Sequence, residues 1–172
     1  MHWLNEFLKF CRPVSRLTGS EWADAKRFIS LGTTAEPGPW RTYRTPYLQE
    51  PMDAATDKET EKVVLMFASQ VGKSEMLLNI LGYYADQEPS PQLMLQPTVE
   101  MAQAFSKERI APMFRDSPGL AGKLIEGKEG RGTEKKSSTT ILMKHYSGGF
   151  LALVGANSPA GLASRPIRIL LA

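Results

Sequence analysis

Apolar positions change their spacing along the chain, and the changes mark the elements. Residues 2–11 carry Trp3, Leu4, Leu8 and Phe10 at helical spacing. Residues 20–30 carry Trp22, Ala23, Ala25, Phe28 and Ile29 behind Ser20, which reads as an N-cap. A Pro/Gly-rich loop spans Gly32 to Pro46, and a short helix is predicted from Tyr47 to Thr56. The run Val63-Val64-Leu65-Met66-Phe67-Ala68 predicts the first core strand. An amphipathic helix follows over 75–86, with Met76, Leu77, Ile80, Leu81 and Tyr84 on one side. A second strand spans Gln92 to Gln96. Pro97 or Thr98 then opens a helix through Met101, Ala102, Phe105, Ile110 and Phe114 that stops near Pro118-Gly119.

Residues 119–138 are rich in Gly, Ser, Lys, Arg and Glu and read as a mobile, solvated loop, with a DNA-facing loop as the second reading. Strands are predicted at Thr139–His145 and Phe150–Gly155 around Ser147-Gly148-Gly149, a hairpin signal. A last buried strand spans Ile167–Ala172. The order β-α-β-α predicts an α/β fold, a mostly parallel sheet with flanking helices. No internal repeat is visible.

The segment Ser69-Gln70-Val71-Gly72-Lys73-Ser74 lies between the first strand and its helix. A helix N-terminus offers unpaired N–H groups and the positive end of the helix dipole, which suit phosphate. Lys73 is expected to reach the β- and γ-phosphates of ATP, and the Ser74 hydroxyl to hold Mg²⁺. The strict phosphate-loop pattern needs Gly where Phe67 stands, so context carries the assignment.

Composition narrows this further. The chain has 172 residues, enough for one domain, with 42% hydrophobic residues and a net charge of +3. That charge is compatible with nucleic acid without arguing for it. Cys11 is the only cysteine, so no internal disulfide forms, and it reads as a small apolar filler. No apolar run approaches 18 residues, so no membrane span and no membrane partner are expected. His2 and His145 are isolated, His145 reading as a surface residue, and Met94, Met101 and Met113 read as core fillers.

An NTPase also needs carboxylates at the end of a neighbouring strand, for Mg²⁺ and for the attacking water. Ile167 to Ala172 has the apolar lead-in of such a strand, and no Asp-Glu pair follows it. Asp86, Glu88 and Glu100 follow no suitable strand and read as surface carboxylates. The fold is therefore expected to be incomplete at its C-terminal side, exposing an apolar edge prone to self-association.

Together these segments resemble the N-terminal part of the large terminase subunit of tailed bacteriophages, the lambda-type branch. The resemblance rests on Ser20-Glu21-Trp22-Ala23, Glu36-Pro37-Gly38-Pro39-Trp40 and Thr45 to Ala54. It continues through Ser69 to Glu75, Gln96-Pro97-Thr98 and Gly155 to Pro166. It implies a P-loop NTPase-type ATPase fold of the RecA/helicase-like (ASCE) class, whose phosphate loops commonly lack the first glycine. It divides the chain into a helical segment with an adenine-side motif, 1–57, and a partial ATPase domain, 58–172. It implies that Tyr47 stacks on adenine and Gln49 reads the base edge; packing of Tyr47 on the helix below is the equal alternative.

Some relatives place an arginine in the loop, where this chain has Ser69-Gln70. The resemblance then leaves Arg165 as the candidate for the γ-phosphate charge, with Arg109 as the alternative. It further implies a motor that moves double-stranded DNA into a procapsid in the host cytoplasm. The implied partners are a small terminase subunit, the portal and further copies of itself in a homo-oligomer. Two other functions fit the residues: a nucleotide-binding fragment without turnover, and part of a helicase-like translocase.

Overall fold

The computed structural model describes residues 16–32, 36–125, 140–157 and 166–172. The predicted helix over 2–11, Cys11, and the segment 158–165 with Arg165 lie outside the described residues.

Helix α1 spans Gly19–Lys26. Its N-cap is Thr18 rather than Ser20: the Thr18 hydroxyl accepts from the Glu21 N–H, and the Glu21 carboxylate accepts from the Thr18 N–H at 2.9 Å. The helix stops at Lys26, short of the predicted residue 30. Phe28–Ile29 instead forms strand β1, antiparallel to β2 at Gly38–Pro39. The Phe28 N–H donates to Ser117 Oγ at 3.1 Å, and the Arg27 carbonyl accepts from the Trp40 N–H at 3.0 Å. These distant partners satisfy backbone groups that a longer helix would have used locally.

Two short 3₁₀ turns, Thr42–Arg44 and Pro46–Leu48, lead into α2, Gln49–Thr56, close to the predicted helix. Helix α3 spans Lys73–Asp86 and is buried on nearly every side, because α1 and α2 pack against it. It also meets the sheet, where Gln92 Nε2 of the strand Gln92–Gln96 donates to the Leu81 carbonyl at 3.1 Å. The Trp22 ring seats on Gly82, where an added Cβ would lie 2.3 Å from the ring. Asp86 is not the surface carboxylate expected. Its side chain is 7% exposed and accepts from Trp22 Nε1 and Lys26 Nζ at 2.7 Å, Gln87 Nε2 at 2.8 Å, and Lys123 Nζ. Burial pushes its pKa up, but those four donors outweigh it and bring it down to about 2.

Strand β3 is Gln92–Gln96, as predicted. Thr98 then caps α4, Val99–Phe105, which continues through a π-helical turn at Ser106–Ile110 into α5, Ala111–Asp116. Pro112 explains the π turn. It has no N–H for the carbonyl four residues back, and its ring crowds that carbonyl, so the ladder widens ahead of it. Strands β4, Met143–Tyr146, and β5, Gly149–Gly155, form the predicted hairpin, turning at Gly148 with φ +86°. Strand β6 is Ile169–Leu171. The sheet order is β4-β5-β3-β6; β3 runs parallel to β5 and β6, and only β4 is antiparallel.

The predicted strand 63–68 forms no ladder among the described residues. It keeps the alternation of a strand: Leu65 and Phe67 pack on the core, whereas Val64 and Met66 are exposed. Pattern supplies burial, but a strand also needs lateral hydrogen-bond partners, and β6 pairs only with β3. Met101 is exposed, unlike the fully buried Met94 and Met113. His145 is half-buried against Phe150. Residues 119–125 form turns pinned by buried Leu120 and by a bridge from Leu124 to Tyr146; only 126–138 of the predicted loop lies outside the described residues.

Candidate nucleotide-binding site

The loop between Phe67 and α3 turns twice through the left-handed region. Gln70 has φ +56° and Gly72 φ +88°, and Gln70 is the one non-glycine with positive φ among the described residues. A loop in which such residues alternate with ordinary ones curls its N–H groups toward a common concavity, a geometry that suits anions. Gly72 is the N-cap of α3 and supplies no side-chain cap. The N–H groups of the first turn, including those of Lys73 and Ser74, therefore have no intrahelical acceptor.

Lys73 folds back across the loop. Its Nζ donates to the Phe67 carbonyl at 3.4 Å and, more closely, to that of Ala68. The ammonium thus sits over the loop mouth, held by neutral carbonyls that an anion can outcompete. Ser74 is exposed at the start of the helix, Ser69 and Gln70 are exposed, and Val71 and Gly72 are half-buried.

Tyr47 meets this loop. Its hydroxyl donates to the Val71 carbonyl at 3.2 Å, and its ring stands perpendicular to that of Phe67 with centroids 6.2 Å apart. Half of the residue remains exposed. Leu48, fully buried beside it, lies against Gly72: a Cβ there would be 3.1 Å from Leu48 Cδ1. The structure therefore brings Tyr47 to the loop at Val71. Gln49 is exposed and lines an open groove of about 930 Å³ beside Arg16, Asp53 and Tyr83; none of residues 69–74 lines that groove.

One group at this site escaped the sequence reading. Glu75 directly follows Ser74, and two arginines hold its carboxylate: Arg27 at 3.0 Å and Arg109 at 2.9 Å. Arg27 is 3% exposed at its side chain; burial lowers its pKa, and Glu75 opposes that shift. Arg109, a candidate for the γ-phosphate charge, is thus committed to Glu75. An acidic residue in the first turn of a helix was the only local signal, and neither arginine is near it in sequence.

The loop suits a polyphosphate: a left-handed double turn, a helix N-terminus, one ammonium and one exposed hydroxyl converge. For a divalent cation the Ser74 hydroxyl supplies one oxygen, and among the described residues no cluster of three acidic, His or Cys side chains joins it. No helix among the described residues is long and apolar enough to cross a membrane.

The family of the phage terminase large subunit gpA ATPase domain matches residues 34–172. The chain belongs to this family. The terminase large subunit of Enterobacteria phage P21 is 28% identical over 141 residues, covering 81% of this chain and 21% of the relative. The terminase large subunit of Escherichia phage lambda is 29% identical over 132 residues, covering 77% of this chain and 20% of the relative. The chain thus spans about a fifth of the length of these terminase subunits. No solved structure matches. The match covers residues 69–74, the Tyr47 segment and all four strands of the main sheet.

Proposed function

We propose that this chain is the ATP-binding front of a DNA-packaging motor of the terminase type. The observation that carries this reading is the phosphate loop itself: Lys73 over a left-handed double turn that opens helix α3. The loop N–H groups and Lys73 would take the β- and γ-phosphates of ATP. The Ser74 hydroxyl would contribute one ligand to Mg²⁺, which when bound offsets phosphate charge. Tyr47 would present its half-exposed ring to adenine, with Gln49 as the polar group on the base edge. Arg165 is the proposed source of charge at the γ-phosphate.

The fold reading accompanies this one. The unpaired run 63–68 has the inward and outward alternation of the strand that a P-loop NTPase of the RecA/helicase-like type places before its loop. In the whole protein, ATP hydrolysis would drive double-stranded DNA into a procapsid, in the host cytoplasm. The small terminase subunit, the portal and further copies of the chain would be its partners.

The test is direct. Binding of a fluorescent ATP analogue with Mg²⁺ is measured for the chain and for Lys73→Ala. The variant should lose binding by at least a hundredfold. Equal affinity in the two proteins overturns the site assignment.

A further inference from the structure

We infer that Arg109 is a positioning residue for the phosphate site, acting through Glu75 to neutralise and fix the first helical turn that carries Lys73 and Ser74. The inference deepens the nucleotide-binding reading and rests on it.

A carboxylate three residues past the N-cap is favoured by the helix dipole, and it ordinarily reaches back to the cap. Glu75 occupies that place in α3, directly after the two proposed phosphate ligands. Left alone, it would oppose a polyphosphate at the same helix end, since like charges at such range repel. Here each carboxylate oxygen is taken by a different guanidinium, Oε2 by Arg27 and Oε1 by Arg109. One negative and two positive groups leave the cluster with a formal charge of +1 beside the loop.

The two arginines differ in freedom. Arg27 is almost fully buried, also donates to the Phe28 carbonyl, and has an Nε without a partner, so it is a fixed part of the fold. Arg109 is 35% exposed and sits within the π turn ahead of Pro112. Such turns occur often at functional sites because they re-aim side chains relative to a regular helix. The outcome here is a link from the helix after β3 to the phosphate-loop helix, made by one exchangeable side chain.

The experiment is a charge cycle on the full chain. Mg²⁺-ATP-analogue affinity and thermal midpoint are measured for the parent, Glu75→Gln, Arg109→Gln, Arg109→Lys and the double variant Glu75→Gln/Arg109→Gln. Arg109→Gln should weaken binding about tenfold, because the cluster beside the loop falls from a formal charge of +1 to 0, with only Arg27 left on Glu75. Arg109→Lys should recover part of that loss. The double variant should return to within about twofold of the parent, since it removes the carboxylate along with its partner. A purely structural Arg109 would lower the midpoint without changing affinity, or leave the double variant as weak as Arg109→Gln; either result overturns the inference while Lys73→Ala still reports the site. If the parent itself fails to bind, the nucleotide reading and this inference fall together.

Discussion

The Tyr47 hydroxyl donates to the Val71 carbonyl at 3.2 Å, tying the segment before α2 to the loop that opens α3. The ring stands perpendicular to that of Phe67, and half of the residue stays exposed beside the loop. Tyr47→Phe keeps the ring and should change ATP-analogue affinity by less than about twofold, as expected for one half-exposed hydrogen bond. Tyr47→Ala should weaken ATP binding about tenfold, in line with the loss of a base stack. Inorganic tripolyphosphate, which has no base, should bind both variants equally. A parallel loss for tripolyphosphate would show that Tyr47 only shapes the loop.

Gln70 holds φ +56°, a region that costs a non-glycine residue about 1–3 kcal/mol. A β-branched side chain suffers most there. Gln70→Val should lower both thermal midpoint and nucleotide affinity, whereas Gln70→Gly and Gln70→Asn should fold and bind like the parent. Calorimetric unfolding with a parallel binding titration checks this. Indifference to valine would mean that the left-handed turn is not required.

Gly82 faces the Trp22 ring, and a Cβ would come within 2.3 Å of it. Alanine is the better helix former by about 1 kcal/mol, so propensity alone predicts stabilisation. Overpacking against a fully buried indole opposes it by about 1–3 kcal/mol and should prevail. Urea unfolding should show Gly82→Ala destabilised, and Trp22→Phe in the same background should recover part of the loss.

Asp86 joins α1, α3 and the turn holding Lys123. Its folded pKa of about 2 lies below the ordinary 3.8, so its contribution is present above that ordinary value. The contribution fades as the pH falls toward the folded pKa. Asp86→Asn should cost about 1–3 kcal/mol at neutral pH, because Lys26 and Lys123 lose their shared carboxylate. Between about pH 4 and pH 2 the gap between parent and variant should close. Urea midpoints across that range read it out; a gap that stays constant would mean that Asp86 stabilises independently of its charge.

Local pattern was enough for much of this molecule. Strand Gln92–Gln96, the hairpin around Gly148 and the helix after Thr98 were legible because their hydrophobic period, turn residues and cap all lie within a few residues. The turn at Gly72 and the helix that opens at Lys73 were legible for the same reason, since their signal is one contiguous segment.

What the sequence could not show depends on partners brought together by folding. Glu75 reads as an ordinary first-turn acid until Arg27 and Arg109 arrive from other elements. Asp86 reads as a surface carboxylate until Trp22, Lys26 and Lys123 close over it. Phe28 and Ile29 continue a helical period, yet distant backbone and hydroxyl partners draw them into a strand. Residues 63–68 show the opposite case, a strand's alternation without a ladder, because periodicity is written in one segment whereas hydrogen-bond pairing takes two.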